Sequence, residues 1–323
     1  LDEEALTAKE RDQGAAYFNL QHMLNTELSD ENRHPLKPKN LVVMNFGLDK
    51  GPGEVTWLPS PDKQINVTGK FACKPQLFRP FTVSTELYPY ESRYMYVDTA
   101  GGGDNGDETV AVVSYLLHGY IFIPEILKLK GENYQILSEL ARKHSVNKID
   151  VEKNFGNGAF AAAWRPVLLN HYKQCGDNHS PAIEDIWVSG QKELRIIDTL
   201  EPVMGRHRLI IHEDVIDYDY ESTLKHPLDE RESYKMFHQM SKITIERGAL
   251  IHDDCVDALE GAVRFHIDNI SVNERERMDQ KKTDENIEFF KEWGGNIGYD
   301  GGMSGTTKDR FKRSSKINRR KRR

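Results

Sequence analysis

Three apolar runs follow one another between residues 94 and 129 with only short turns between them. They are YMYVDTA at 94–100, TVAVVSYLL at 109–117 and YIFIPEILKL at 120–129. Short runs rich in Val, Ile and Tyr read as strands. The intervening segments are GGGDNGDE and His118–Gly119. Neither is long enough for a crossover, so the three strands form an antiparallel meander. Whatever this chain folds into is built on that meander.

The segments that follow alternate in period. Residues 132–144 repeat apolar positions at helical spacing (Tyr134, Leu137, Leu140, Ala141), and KIDVEKN at 148–154 is a strand. A helix entered through glycines follows at 155–172, with Pro166 inside it, then a strand at 184–190, a helix at 192–204 and an extended segment at 208–212. Helices are expected at 231–243 and at 253–267, where Val256, Leu259 and Val263 recur. The expected class is α/β: a mixed β-sheet, an antiparallel meander followed by parallel strands, flanked by helices.

Upstream, Ala16, Leu20, Met23, Leu24 and Leu28 make a helical stripe, and residues 41–47 read as a short strand. Residues 48–90 carry no clear period. The expected domains are a connecting segment at 1–90, a core domain at 91–270 and a polar, glycine-rich linker with a basic tail at 271–323. A chain opening without Met is expected to be a fragment or a processed product.

Composition narrows the classes. No run approaches the ~18 apolar residues of a membrane span, so no membrane partner is expected. Three distant cysteines, Cys73, Cys175 and Cys255, offer neither a disulfide framework nor a Cys-based zinc site, which fits a reducing compartment. The formal charge is −7, but nine of the 44 basic residues lie in 310–323, where there is no acid. That leaves 35 bases against 51 acids, a net of −16, in the remainder. An acidic body with a basic end does not grip DNA over its whole surface. The end itself, Arg319 and Arg320 included, reads either as a solvated terminus or as a docking arm for a polyanion or partner.

Several acids stand out by placement. Asp98 closes an apolar strand on the pleat face of Tyr94 and Tyr96. Glu152 lies in a later strand with Asp150 on its face, and Asp253, Asp254 and Asp257 open the last helix. Each has a plain structural reading: a strand end bonded to a turn, an edge charge pair with Lys153, a helix N-cap. Taken together they fit phosphodiester hydrolysis. That chemistry neutralises charge on the transferring phosphoryl group, and two divalent ions ~4 Å apart do so in many nucleases. Mg²⁺ or Mn²⁺ would be the choice of an all-oxygen donor set.

The strings MYVDTAGGGDNGDET, VEKNFGNGAF and HDDCVDAL resemble the nuclease domain of the terminase large subunit of tailed double-stranded DNA phages, podophage type. The likeness spans roughly residues 90–270, and QHMLNTELSDENRHPLKPKNLVV is similar to the family's link between ATPase and nuclease. The resemblance implies an RNase H-like fold and a two-metal endonuclease that cuts concatemeric DNA in the host cytoplasm. It also implies a portal protein and a small terminase subunit as partners. Carried over, the acids are Asp98, Glu152 and Asp254 as the catalytic frame, with Asp257 and then Asp253 as further metal-ligand candidates, and Asp107 as a supporting residue. The family's phosphate loop, GxxxxGK[ST], does not occur in this sequence.

Other readings stay open. Lys128 and Lys130, with Arg142, Lys143 and Lys148, form either a track for DNA phosphates or scattered solvated charge. Tyr94 and Tyr96 pack beneath the sheet or stack on bases. His252 caps or packs, or moves a proton. The rival functions are another RNase H-like enzyme, a resolvase or transposase, and a non-catalytic module that docks on a portal or DNA.

Overall fold

The computed structural model describes residues 33–99, 108–153 and 158–269. The helix expected near 16–28, the glycines at 101–103, Asp107, Arg319, Arg320 and the linker and tail lie outside them.

Eleven strands occur among the described residues: β1 (Val42–Met44), β2 (Lys50–Pro52), β3 (Val55–Thr56), β4 (Thr82–Val83), β5 (Leu87–Pro89), β6 (Ser92–Asp98), β7 (Thr109–Leu117), β8 (Tyr120–Leu129), β9 (Lys148–Glu152), β10 (Ala182–Ile186) and β11 (Leu209–His212). Seven of them make one sheet in the order β1-β11-β8-β7-β6-β9-β10. The meander is its centre, since β6–β7 and β7–β8 are antiparallel. Parallel strands extend it on both sides, with β9 and β10 beyond β6, and β11 and β1 beyond β8. The expected α/β class is the observed one.

Local chemistry explains the meander's tight corner. His118 and Gly119 both have positive φ, 50° and 76°. A two-residue turn with both residues in that region matches the right-handed twist of the flanking strands. The side chain of Glu91 accepts the His118 backbone N–H and steadies the non-glycine residue there.

The helices are α1 (Tyr134–Lys143), α2 (Ala159–Gln174), α3 (Lys192–Gly205), α4 (Glu213–Glu221), α5 (Met236–Lys242) and α6, residues 254–269. Strand alternation sends Met95, Val97, Ala111 and Val113 to one face, against Leu137 and Leu140 of α1 and Phe160, Trp164 and Leu168 of α2. Tyr94, Tyr96, Val110 and Val112 face the other way, against Ile196, Leu200, Phe237, Val256, Leu259 and Val263 of α3, α5 and α6. Both faces are covered, as a sheet with parallel flanks requires.

Four local features differ from expectation. The strand expected at 184–190 is β10, which begins at Ala182 and ends at Ile186. The single helix expected at 231–243 is a 3₁₀ turn, Arg231–Tyr234, followed by α5, because Lys235 between them is extended. The Asp219 carboxylate accepts the N–H groups of Met236 and Phe237, so α5 starts on a buried acid. Helix α4 was not expected. Residues before 90 also supply an edge strand to the sheet, since β1 pairs with β11 from Val42↔Ile210 to Met44↔His212.

Candidate metal centre

The carboxyl-terminal ends of β6 and β9 lie side by side. The parallel register runs through Tyr96↔Asp150 and Val97↔Val151, which brings Asp98 next to Glu152 at the next step. Both acids share the pleat face that carries α6. Both are buried, Asp98 at 8% exposure and Glu152 at 3%. From α6, Asp257 enters the same space, 1% exposed. Ligand oxygens of Asp98, Glu152 and Asp257 lie within 4.8 Å of one another.

Three carboxylates gathered out of water repel one another and lose solvation. Burial, then the charges of Asp257 and Glu152, push the Asp98 carboxyl well above its ordinary range, and Lys192 offsets this only in part. A cluster of hard oxygen donors held this close calls for protons or a divalent cation. The donor set therefore fits Mg²⁺ or Mn²⁺.

Asp254, the first choice as third ligand, does not belong to this group of three. It is buried where α6 begins, one turn before Asp257. Asp253 lies on Lys192, whose Nζ is 2.7 Å from its Oδ1 and 2.8 Å from Oδ2 of Asp257. Burial works against the charge of Lys192, yet Asp257, Asp253 and Asp98 hold its pKa above the ordinary lysine value.

The tyrosines do more than pack. Tyr94 and Tyr96 are fully buried, and their hydroxyls donate to Asp150 (2.8 Å) and Glu152 (2.6 Å). Gly261 lets α6 approach Tyr96 closely enough for this arrangement, for a Cβ there would stand 2.4 Å from the ring.

Lys128, a candidate for the DNA track, is instead buried. It is 1% exposed at the side chain and is paired at 2.7 Å with Asp219, itself 2% exposed. Its row in the sheet, opposite Val110 and two strands from Asp98, turns it into the core beside α5. Lys130 is exposed. Arg142, Lys143 and Lys148 pair with Asp177, Glu125 and Glu184. His252 stacks on Tyr234 at 3.9 Å.

Sequence reading missed Lys192, Arg195, Glu260 and the donor role of Tyr96. The signal for Glu260 was present: residues 253, 257, 260 and 264 recur at three to four along one helix face.

The sequence is similar to those of known proteins. The family model described as "Terminase Bacteriophage T7, Ribonuclease H-like domain" matches residues 97–209. The large terminase subunit of Enterobacteria phage T3 is 35% identical over 270 residues, which cover 82% of this chain and 44% of that protein. The chain thus spans less than half the length of that relative. Two solved structures show weaker likeness. The human cytomegalovirus terminase nuclease domain is 14% identical, with 54% of this chain and 83% of that one covered and a TM-score of 0.38. The large terminase nuclease of thermophilic phage G20c is 11% identical, with 71% and 96% covered and a TM-score of 0.35. Across residues 97–209 the chain is thus similar to the Ribonuclease H-like domain of the phage T7 terminase.

Proposed function

We propose that this chain is the nuclease part of a terminase large subunit: a divalent-metal-dependent DNA endonuclease that cuts concatemeric double-stranded DNA during packaging. The observation that carries the reading is the convergence of Asp98, Glu152 and Asp257 from two strand ends and a helix. The 35% identity to the phage T3 subunit supports the packaging role.

Asp98, Glu152 and Asp257 would hold the metal, with Asp254 and Asp253 close by. Divalent ions at such a cluster supply charge neutralisation at the phosphate and make water more acidic. The protein's own contribution is placement. The strands fix Asp98 and Glu152, and Tyr96 orients Glu152 by its hydrogen bond. The acidic body repels DNA at long range, which favours approach by a duplex delivered by other parts of the packaging machine. Portal and small-subunit partners, action in the host cytoplasm, and residues 91–270 as the nuclease domain belong to the same proposal.

Supercoiled plasmid incubated with the chain and Mg²⁺ or Mn²⁺ tests it. Nicking and linear products are expected, with none from Asp98→Asn and none in chelator. Cleavage by Asp98→Asn at the native rate would overturn the reading. Cutting confined to branched junctions would assign the chain to a resolvase instead.

A further inference from the structure

Asp257 carries a different partner on each oxygen. Its Oδ1 accepts from Nη2 of Arg195, and its Oδ2 lies 2.8 Å from Nζ of Lys192. The two cations are held in different ways. Lys192 pairs with the carboxylates of Asp253 and Asp257 and is 35% exposed. Arg195 is 15% exposed, and its Nε lies 3.1 Å from Oε2 of Glu260, an ion-pair contact without hydrogen-bond geometry. Glu260 has no exposed surface, and it is fixed in turn. Thr199 donates to its Oε1 at 3.0 Å, and Nε of Arg264 sits 2.9 Å from the same oxygen.

Burial of a carboxylate with no solvent contact is costly. Here the acid lies one turn beyond a candidate metal ligand, on the same helix face, and is joined to it by one guanidinium. Arginine's planar fork can span two carboxylates in a fixed geometry, which a lysine ammonium cannot. A carboxylate with one oxygen immobilised has its other oxygen aimed.

We infer that Glu260, acting through Arg195, is a positioning residue for Asp257: the pair commits Oδ1 to the protein and presents Oδ2 to the cation. Lys192 marks the place the cation takes. The inference rests on the metal reading above. Outer partners of this kind typically change metal affinity by about 10- to 100-fold when removed.

The test is Mn²⁺ binding by the whole 323-residue chain, followed by calorimetry or by the spin-resonance signal of free Mn²⁺. Measurements are made well below each variant's melting temperature. Glu260→Gln and Arg195→Met are each expected to raise the Mn²⁺ dissociation constant about tenfold. The double variant is expected to bind as Arg195→Met does, because Glu260 acts only through Arg195. Arg195→Lys, which keeps the charge and loses the fork, is the gentler variant and is expected to lose affinity as well. Unchanged or tighter Mn²⁺ binding by Arg195→Lys or Glu260→Gln, or multiplied losses in the double variant, overturns the inference. Asp257→Asn separates the two claims. If it binds Mn²⁺ like the native chain, the metal reading itself fails. If it loses binding while Glu260→Gln does not, only the positioning role is lost.

Discussion

Gly261 lies so close to the ring of Tyr96 that an added Cβ would stand 2.4 Å from two of its carbons. The contact sets the depth of α6 against β6. Tyr96 is fully buried and donates to Glu152, and Asp257 sits one turn before Gly261. The relationship therefore fixes two of the three clustered acids. Alanine in place of Gly261 gains about 1 kcal/mol of helix propensity. Overpacking a rigid, bonded ring costs about 1–3 kcal/mol, and this term wins. Gly261→Ala is expected to lower the urea midpoint and weaken Mn²⁺ binding. A more stable variant with native Mn²⁺ affinity would show that α6 can shift freely.

Asp98 contributes charge at the expense of stability. Its carboxyl is raised by burial and by Asp257 and Glu152, so the metal-free native state keeps a proton that the unfolded chain has released. Stability without metal should then fall as pH climbs from the ordinary carboxyl value of about 4 toward the raised one. Asp98→Asn removes that slope. It is expected to melt higher than the native chain at pH 8 in chelator and to show no rise when Mn²⁺ is added. Melting curves at several pH values, with and without Mn²⁺, check both parts. An unaltered Mn²⁺ response in the variant would remove Asp98 from the cluster.

Asp257 and Asp254 separate in the plasmid-nicking assay. Asp257 shares the 4.8 Å cluster, and Asp254 does not. Asp257→Asn is expected to abolish plasmid nicking, and Asp254→Asn to leave a measurable fraction of it. The reverse ranking, with nicking lost only in Asp254→Asn, would make Asp254 the essential ligand.

The meander and the strand-end acids were legible because they depend on local pattern. Apolar runs with short turns can pair only one way, and period two puts Asp98 with Tyr94 and Tyr96. The choice between Asp254 and Asp257 was not legible. It depends on how α6 is rotated and how deeply it is seated, which Gly261 and Tyr96 decide across 165 residues of sequence. Lys128 misled for a similar reason. A lysine near the end of a strand reads as a solvated charge unless a distant acid, here Asp219, buries it. Helix α4 and the pairing of β1 with β11 likewise arise from long-range contact rather than from strong local periodicity.

His266 makes a different pH prediction. It has no exposed surface, faces Ser114 at 2.9 Å, and burial lowers its pKa to about 4. The unfolded imidazole titrates near 6.5. Between those values the unfolded chain takes up a proton that the native state refuses. The His266 contribution to stability is therefore full above about pH 6.5 and declines down to about pH 4, by roughly 3 kcal/mol at most. In His266→Asn this part of the acid loss should vanish. Denaturant midpoints from pH 7 to pH 4 measure it, and a native slope in the variant would assign the loss to other groups.

Lys128 tests whether a basic residue at this end of the sheet serves DNA or the fold. With Asp219 it forms a pair almost without solvent contact, and its Nζ also donates to the Tyr234 carbonyl. Lys128→Met leaves the Asp219 charge without its cation. The two N–H groups at the start of α5 remain bonded to that carboxylate, so the loss belongs at the lower end of the usual range, about 3 kcal/mol. Replacing the partner as well, Lys128→Met with Asp219→Asn, removes the stranded charge and should recover part of that loss. DNA affinity, measured at a temperature where both variants are folded and in Ca²⁺ to prevent cutting, should equal that of the native chain. A residue that touched phosphate would behave the other way. Its loss would weaken binding and flatten the salt dependence by about one unit while sparing the melting temperature.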